Sequence, residues 1–253
     1  MKNRERLDAL LVERGLAENR SKAQAFVISG SVWVGGKVAA KPGFKVPHDA
    51  EISIKEDARR YVSRAGEKLA CALDYFGVDV TCRLCVDAGA STGGFTDVLL
   101  RRGAEKIAAI DVGYGQFDWR LRNDERVFVM ERTNVRNLTG AELPFEPDLL
   151  VSDLSFISLS VALGGLLGST PSIKEAVLLL KPQFEAGPEK VGRGGLVRDE
   201  EVHAEVILTV AKELYAFGFG ATGVVRAAVT GRKSGNQEYV MRLLRGSDNA
   251  LDE

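Results

Sequence analysis

From about residue 63 onward, short apolar runs alternate with longer amphipathic stretches, and this rhythm limits the possible folds more than any other feature. Runs near 84–87, 106–111, 126–130, 148–153 and 175–180 are apolar almost throughout, as strands buried on both faces must be. Helices are expected between and around them, at 63–76, 94–102, 158–167 and 199–217. Strands and helices in alternation predict an α/β fold, a parallel sheet with helices on both faces. Two last strands are expected at 221–229 and 238–244, the final one antiparallel, separated by Thr230-Gly231-Arg232-Lys233-Ser234-Gly235-Asn236.

The first sixty residues read differently. Leu7, Leu10, Leu11 and Val12 form a helical stripe that Gly15 closes. A second helix is expected from Ser21 through Ala23, Phe26, Val27 and Ile28 to Gly30. Val32-Trp33-Val34 alternates into the turn Gly35-Gly36, with Val38 on a returning strand. Turns at Pro42-Gly43 and Pro47-His48-Asp49 lead to a strand at Ile52-Ser53-Ile54, and the charged run Lys55-Glu56-Asp57-Ala58-Arg59-Arg60 reads as a linker. The expected organisation is a small α+β unit over 1–57, a linker at 58–62, a large domain over 63–246 and a frayed tail over 247–253.

Charge separates the two parts. Residues 1–60 carry 12 Lys and Arg against 8 Asp and Glu, while the rest carries 22 against 27. A basic unit tethered to a mildly acidic one suggests a polyanionic partner, although charge alone leaves a merely solvated surface equally open. No apolar run approaches the roughly 20 residues needed to span a bilayer. Glu5 and Asp8 stand where a secretory signal would need an apolar core, and three cysteines give no disulfide framework. The expected setting is the reducing cytoplasm.

The strongest single motif is Asp87-Ala88-Gly89-Ala90-Ser91-Thr92-Gly93-Gly94-Phe95, between the strand at Leu84-Cys85-Val86 and a helix. Glycines let the backbone approach a ligand, and a helix start presents unpaired N–H groups. No Gly-Lys-Ser/Thr follows, which excludes a P-loop, and Gly89, Gly93 and Gly94 lack dinucleotide-binding spacing. An S-adenosylmethionine site fits: an acid ending the first strand, the glycine turn, then Asp111 ending the next strand, placed to accept hydrogen bonds from a ribose diol. Val112, Asn134, Asp153 and Leu154 complete the expected cofactor set. A turn that only connects strand to helix is the competing explanation.

Four residues narrow the chemistry. Lys68 lies in the helix before the first strand, Asp153 and Lys181 end the fourth and fifth strands, and Glu238 opens the last one. Singly, each also suits a salt bridge capping the sheet. Together they resemble the K-D-K-E tetrad of FtsJ/RrmJ-like ribose 2′-O-methyltransferases. The N-terminal unit, with Arg6-Leu7-Asp8, Gly15-Leu16-Ala17, Arg20-Ser21-Lys22-Ala23 and Gly30-Ser31-Val32-Trp33-Val34-Gly35-Gly36, resembles an S4 RNA-binding domain. With Lys181-Pro182-Gln183-Phe184-Glu185, the whole is similar to the TlyA family of ribosomal-RNA methyltransferases, from about residue 4 to 245. The resemblance implies a class I (Rossmann-like) methyltransferase fold, S-adenosylmethionine as cofactor, ribosomal RNA or ribosomal subunits as partner, and methylation of cytidine ribose. Members are often labelled haemolysins. This sequence shows neither a membrane span nor a strongly amphipathic, lipid-seeking helix.

A ribose hydroxyl must be set in line with the methyl donor and relieved of its proton. Lys181 is the expected general base, Lys68 the cation beside it, Asp153 the group orienting Lys181, and Glu238 the partner of Lys68 and of the substrate ribose. A lysine starts near pKa 10.4, and the two carboxylates oppose its use as a base. Phosphate contacts are expected from Arg4, Arg6, Arg14, Arg20, Lys22, Lys37, Lys41, Lys45 and Arg64. No metal is expected: Cys82-Arg83-Leu84-Cys85 lacks further ligands at matching spacing and is read as packing. His203 is read as a surface residue, Phe156 as either core or base contact, and 187–195 as a loop that orders over substrate.

Overall fold

A computed structural model describes residues 4–29, 31–39, 41–54, 61–228 and 235–251. The expected helix end at Gly30, the linker run 55–60, residues 230–234 of the last connection and the final two residues lie outside that set. The chain forms two compact units, 1–60 and 61–253.

The first unit places α1 (Leu7–Glu13) beside α2 (Arg20–Ser29). Leu7, Leu10 and Leu11 are fully buried, together with Ala23, Val27 and Val32. A strand not expected from the sequence, β1 (Arg4–Arg6), pairs antiparallel with β4 (Lys45–Pro47). The hairpin of β2 (Val32–Val34) and β3 (Lys37–Val38) turns at Gly35 and Gly36, and β5 (Ile52–Ile54) pairs with β2 on its other edge. Both turn glycines have positive φ, 55° and 77°, as a two-residue hairpin of this hand requires. Asp8 is wholly buried, and Arg6, Arg20 and Gln24 donate to its carboxylate.

The second unit runs α3 (Arg64–Phe76), β6 (Leu84–Ala88), α4 (Gly94–Arg101), β7 (Lys106–Ile110), α5 (Trp119–Arg122), β8 (Val127–Met130) and β9 (Leu149–Ser152). It continues with α6 (Leu159–Ser169), β10 (Glu175–Leu180), α7 (Pro182–Glu185), α8 (Glu200–Tyr215), β11 (Phe219–Arg226) and β12 (Tyr239–Arg245). One sheet takes all seven strands in the order β11-β12-β10-β9-β6-β7-β8. Only β12 runs against its neighbours, pairing antiparallel with both β10 and β11. The short helices α5 and α7 had no periodic signal to reveal them.

Alternation along the strands sorts side chains onto two faces. Val86, Ala88, Leu178, Leu180, Tyr239 and Met241 pack with α6 and α8, whereas Cys85, Val151, Val177, Leu179 and Val240 pack with α3 and α4. Carried one step past each strand end, the same alternation sends Asp153, Lys181 and Glu238 to the α3 side. The sheet changes direction between β6 and β9, where the chain turns outward after Ala88 on one side and Ser152 on the other. That crevice at the carboxyl edge is where open α/β sheets bind ligands.

Two expectations fail. His203 is buried, because it continues the stripe of Val206, Val210 and Leu214 on α8. The cost of burying a ring with two polar atoms is offset by bonds to both, the Tyr239 hydroxyl and the Val197 carbonyl, each at 3.0 Å. The segment after β12 is docked instead of frayed: Gly246 and Ala250 donate to the carbonyls of Gly218 and Ala221, and Leu251 packs on the core.

Candidate active site

The glycine-rich turn is shaped by close backbone approach. Gly89 has φ 88°, and a Cβ there would sit 2.7 Å from the Asp153 carbonyl, so no side chain fits between the two loops. The N–H groups of Gly89 and Ala90 donate to the Ile110 carbonyl and lock the turn to the end of β7. Asp111 follows. Its Oδ2 accepts from the Ser91 N–H at 2.8 Å, and its Oδ1 from the Gly113 N–H at 2.6 Å and Gln116 Nε2 at 3.2 Å.

These loops border two hollows. The larger, 440 Å³, is lined by Ile110, Asp111, Val112, Asn134, Leu154 and Phe156 among others. The smaller, 170 Å³, lies between Ser63, Ala65, Thr92, Gly94 and Phe95. Gly89, Ser91 and Asp153 line both, so the two meet beside Asp153. Gly93, at φ 95°, is the N-cap of α4.

Asp87 lies behind this junction, wholly buried. The Thr96 hydroxyl donates to its Oδ2 at 2.6 Å, while Oδ1 has no partner among the described residues. Burial pushes its pKa up to about 7; the Thr96 bond works against that shift, and Asp153 and Asp111 add to it. A buried carboxylate with a raised pKa two residues before the Gly89 turn is a candidate functional group.

The four expected catalytic residues form two ion pairs. Lys68, on the buried face of α3 with Leu69, Ala72 and Leu73, donates to Glu238 Oε2. Lys181 Nζ lies 2.6 Å from Asp153 Oδ1 and donates to Ser155 Oγ at 2.9 Å. Leu180 stands opposite Tyr239 in the β10–β12 ladder, which makes Lys181 and Glu238 the next facing positions. α3 packs on β10 and β12, bringing Lys68 to the same edge.

Sequence reasoning missed Ser155 and Thr96, the hydroxyl partners of Lys181 and Asp87. Ser155 lies two residues after Asp153 and Thr96 in the first turn of α4, positions where a hydroxyl signals nothing until the strands are aligned. Phe156 is not core: it is 89% exposed, has φ 67° and stacks on Phe184 with ring centroids 4.8 Å apart. Glu185, held at the start of α6 by the Leu159 N–H, is shifted upward by burial. In the loop expected to order over substrate, Gly192 pairs with Leu196 and Lys190 meets Glu205 at 2.5 Å.

Cys85 is packed and burial pushes its thiol up, whereas Cys82 and Cys71 are exposed, so the packing explanation holds for one cysteine of the C-x-x-C. Among the described residues, only Glu5, Glu13 and His48 bring possible metal ligands within 4.8 Å of one another.

In the first unit, Arg4, Lys37, Lys41 and Lys45 are exposed and have no ion partner among the described residues. Arg6 and Arg20 share Asp8 yet stay about half exposed. Arg14 donates to the carbonyls of His48 and Ala50, and Lys22 lies 5.6 Å from the centre of the Phe26 ring. Arg64 opens α3 and is exposed.

A sheet of this order, a glycine turn at its crossover and two lysine–carboxylate pairs define a class I methyltransferase unit. Residues 61–245 match the family described as FtsJ-like methyltransferase, and residues 5–52 match the S4 domain. The chain belongs to the TlyA family. It is 46% identical over 252 residues to the 16S/23S rRNA (cytidine-2′-O)-methyltransferase TlyA of Mycobacterium tuberculosis, covering 99% of this chain and 94% of that one. Hemolysin A of Brachyspira hyodysenteriae is 37% identical over 94% of this chain and 99% of its own. A solved Streptococcus thermophilus protein described as a candidate hemolysin superposes with a TM-score of 0.75 at 38% identity, over 98% of this chain and 91% of that one. No helix among the described residues is long and apolar enough to cross a membrane.

Proposed function

We propose that the protein transfers a methyl group from S-adenosylmethionine to the 2′-oxygen of a cytidine ribose in ribosomal RNA, in the cytoplasm. The observation that carries this reading is the Lys181–Asp153–Ser155 contact, placed where the two hollows meet. The larger hollow suits the nucleoside part of the cofactor. Asp111, tied by Ser91, Gly113 and Gln116, keeps a lone pair on Oδ2 for a ribose hydroxyl, and Val112, Asn134 and Leu154 line the base side. The smaller hollow, beside Thr92, Gly93, Gly94 and Phe95 at the start of α4, suits the amino-acid part, with Asp87 as the acid behind it.

Bound there, S-adenosylmethionine supplies an electrophilic methyl on a sulfonium. The protein's task is to hold the ribose oxygen in line and to take its proton. In this reading Lys181 receives the proton, and Asp153 and Ser155 hold its Nζ at the junction. Glu238 is already engaged with Lys68, which leaves Asp153 as the carboxylate that Lys181 meets. Lys181 donates to Ser155, a contact that a neutral amine also makes, and it acts as a base once its ammonium has given up a proton. Lys68 faces the developing oxyanion as a cation. In the first unit Arg4, Lys37, Lys41 and Lys45, with the exposed parts of Arg6, Arg14, Arg20 and Lys22, meet phosphates, and in the second unit Arg64 on α3 is a further candidate phosphate contact.

The test is transfer of labelled methyl to unmethylated ribosomal subunits by wild type, Lys181→Ala and Lys181→Arg. The expected result is label on ribose 2′-oxygen, lost by about 10²–10⁴-fold in Lys181→Ala. An active Lys181→Arg enzyme with an unshifted pH profile would remove the base role. Cofactor binding without any accepting RNA would replace the enzyme by a binding factor.

A further inference from the structure

The opposite face of the same strand end holds a second hollow that the methyl-transfer chemistry leaves unused. Its volume, 440 Å³, equals that of the groove beside Asp111. Tyr239 and His203 line it, with Arg198, Glu200, Arg226 and Gln237 around them. Because Tyr239 follows Glu238 directly, alternation turns the two to opposite sides of the sheet.

The walls are fixed by a chain of hydrogen bonds. Asn236 is buried; its Oδ1 accepts from the Val197 N–H at 2.9 Å and its Nδ2 donates to the Gly195 carbonyl at 2.7 Å. The Val197 carbonyl can only accept, so His203 Nε2 is the donor across 3.0 Å. In the neutral ring Nδ1 then accepts from the Tyr239 hydroxyl. Arg226 stands opposite Tyr239 in the β11–β12 ladder and meets Glu200 at 3.0 Å. The site is therefore organised before any ligand arrives.

Its lining carries two arginines, Arg198 and Arg226, against one glutamate, Glu200. Asp199 caps α8 through the Glu201 N–H, Glu200 is paired with Arg226, and Glu205 with Lys190. Arg198 is exposed and has no ion partner among the described residues, and the same holds for Arg193. Arg198 also lines an adjoining 320 Å³ hollow with Lys190 and Arg193, so cations continue beyond the pocket. Guanidinium forks over a polar floor match the tetrahedral oxygens of a phosphodiester.

We propose that this pocket seats a backbone phosphate of the RNA strand next to the nucleotide being methylated, with Arg198 and Arg226 as its ligands and Gln237 as a further donor. The proposal rests on the RNA-methylating reading given above. Gln237 and Tyr239 flank Glu238, so a strand that brings its ribose to the Lys68–Glu238 pair carries a neighbouring phosphate past this face. Such a contact sets the register of the strand and carries no sequence preference.

The experiment uses the full chain as wild type, Arg198→Gln, Arg226→Gln and the double variant. Both arginines are exposed, so their loss spares the core. Binding to a deproteinised ribosomal-RNA transcript is measured against salt, alongside S-adenosylmethionine affinity and methyl transfer. The double variant is expected to lower the log–log salt slope by about 1 to 2 and to weaken RNA binding about tenfold near physiological salt. Cofactor affinity should hold, and KM for RNA should change more than kcat. Wild-type slope and RNA affinity in the double variant would overturn the proposal. So would weakened binding to intact subunits with unchanged binding to naked RNA, which would make the partner a protein. If wild type transfers no methyl to RNA, the functional reading fails, while the salt slopes still decide the pocket.

Discussion

Each unit buries one aspartate completely, and the two behave in opposite ways. Asp8 accepts from Arg6 at 2.8 and 3.0 Å, from Gln24 at 3.0 Å and from Arg20 at 3.3 Å, and the Arg6 bond above all holds its carboxyl well below the usual range. Asp87 has one hydroxyl donor and no cation, and burial pushes it up to about 7. Both lack exposed surface, but Asp87 lies deep enough for desolvation to dominate, whereas at Asp8 the Arg6 bond outweighs it. The small unit uses its buried acid to orient two arginines on its own surface. The large unit leaves one oxygen of its buried acid without a partner among the described residues.

The largest effect that would sharpen this contrast is on cofactor binding. Asp87→Asn should weaken S-adenosylmethionine binding by about 100-fold, or nearly 3 kcal/mol, measured by calorimetry. Unchanged affinity would make Asp87 a structural acid like Asp8. A smaller effect is expected from Asp8→Asn, which should cost the first unit about 2 kcal/mol. Chemical unfolding followed by Trp33 in a Trp119→Phe background reads that unit alone, since these are the two tryptophans. Stability equal to the parent would show that Arg6 and Arg20 contribute nothing through the pair.

The pH dependence gives the smallest effect and the cleanest opposition of sign. Asp87 has a folded pKa above its unfolded value, so its contribution is full below about 4 and is lost as pH rises through about 7. Asp8 has a depressed pKa, so its contribution is present above about 4 and is lost as pH falls below it. Thermal unfolding of the second unit should therefore weaken between pH 4 and 7 in wild type and less so in Asp87→Asn. Identical slopes in the two proteins would refute the raised Asp87.

Signals that are local in the chain were legible. Glycines at positive φ, the apolar strands and the residues just past their ends can be read from neighbours, and from them came the sheet and the positions of Asp153 and Lys181, whereas Lys68 is singled out by the family resemblance. What could not be read depends on partners far away in sequence. β1 and β4 are three residues each and exist only because they pair with each other across the first unit. His203 looks polar in its helix until Tyr239, 36 residues on, and Val197 supply its bonds. The pairing of Lys68 with Glu238, across 170 residues, is expected only through the family resemblance and not from any local signal.

The insertion of β12 between β10 and β11 has a consequence for synthesis. Translation proceeds at about 5–20 residues per second, and earlier elements can begin to fold while later ones are still being made. Here β10, already paired with β9, and β11 have no bond to each other, and residues 239–245 supply the outer neighbour of β10 and the inner neighbour of β11. The glutamate that engages Lys68 arrives with that same late strand. A nascent chain long enough to display its first unit is thus still without a finished sheet.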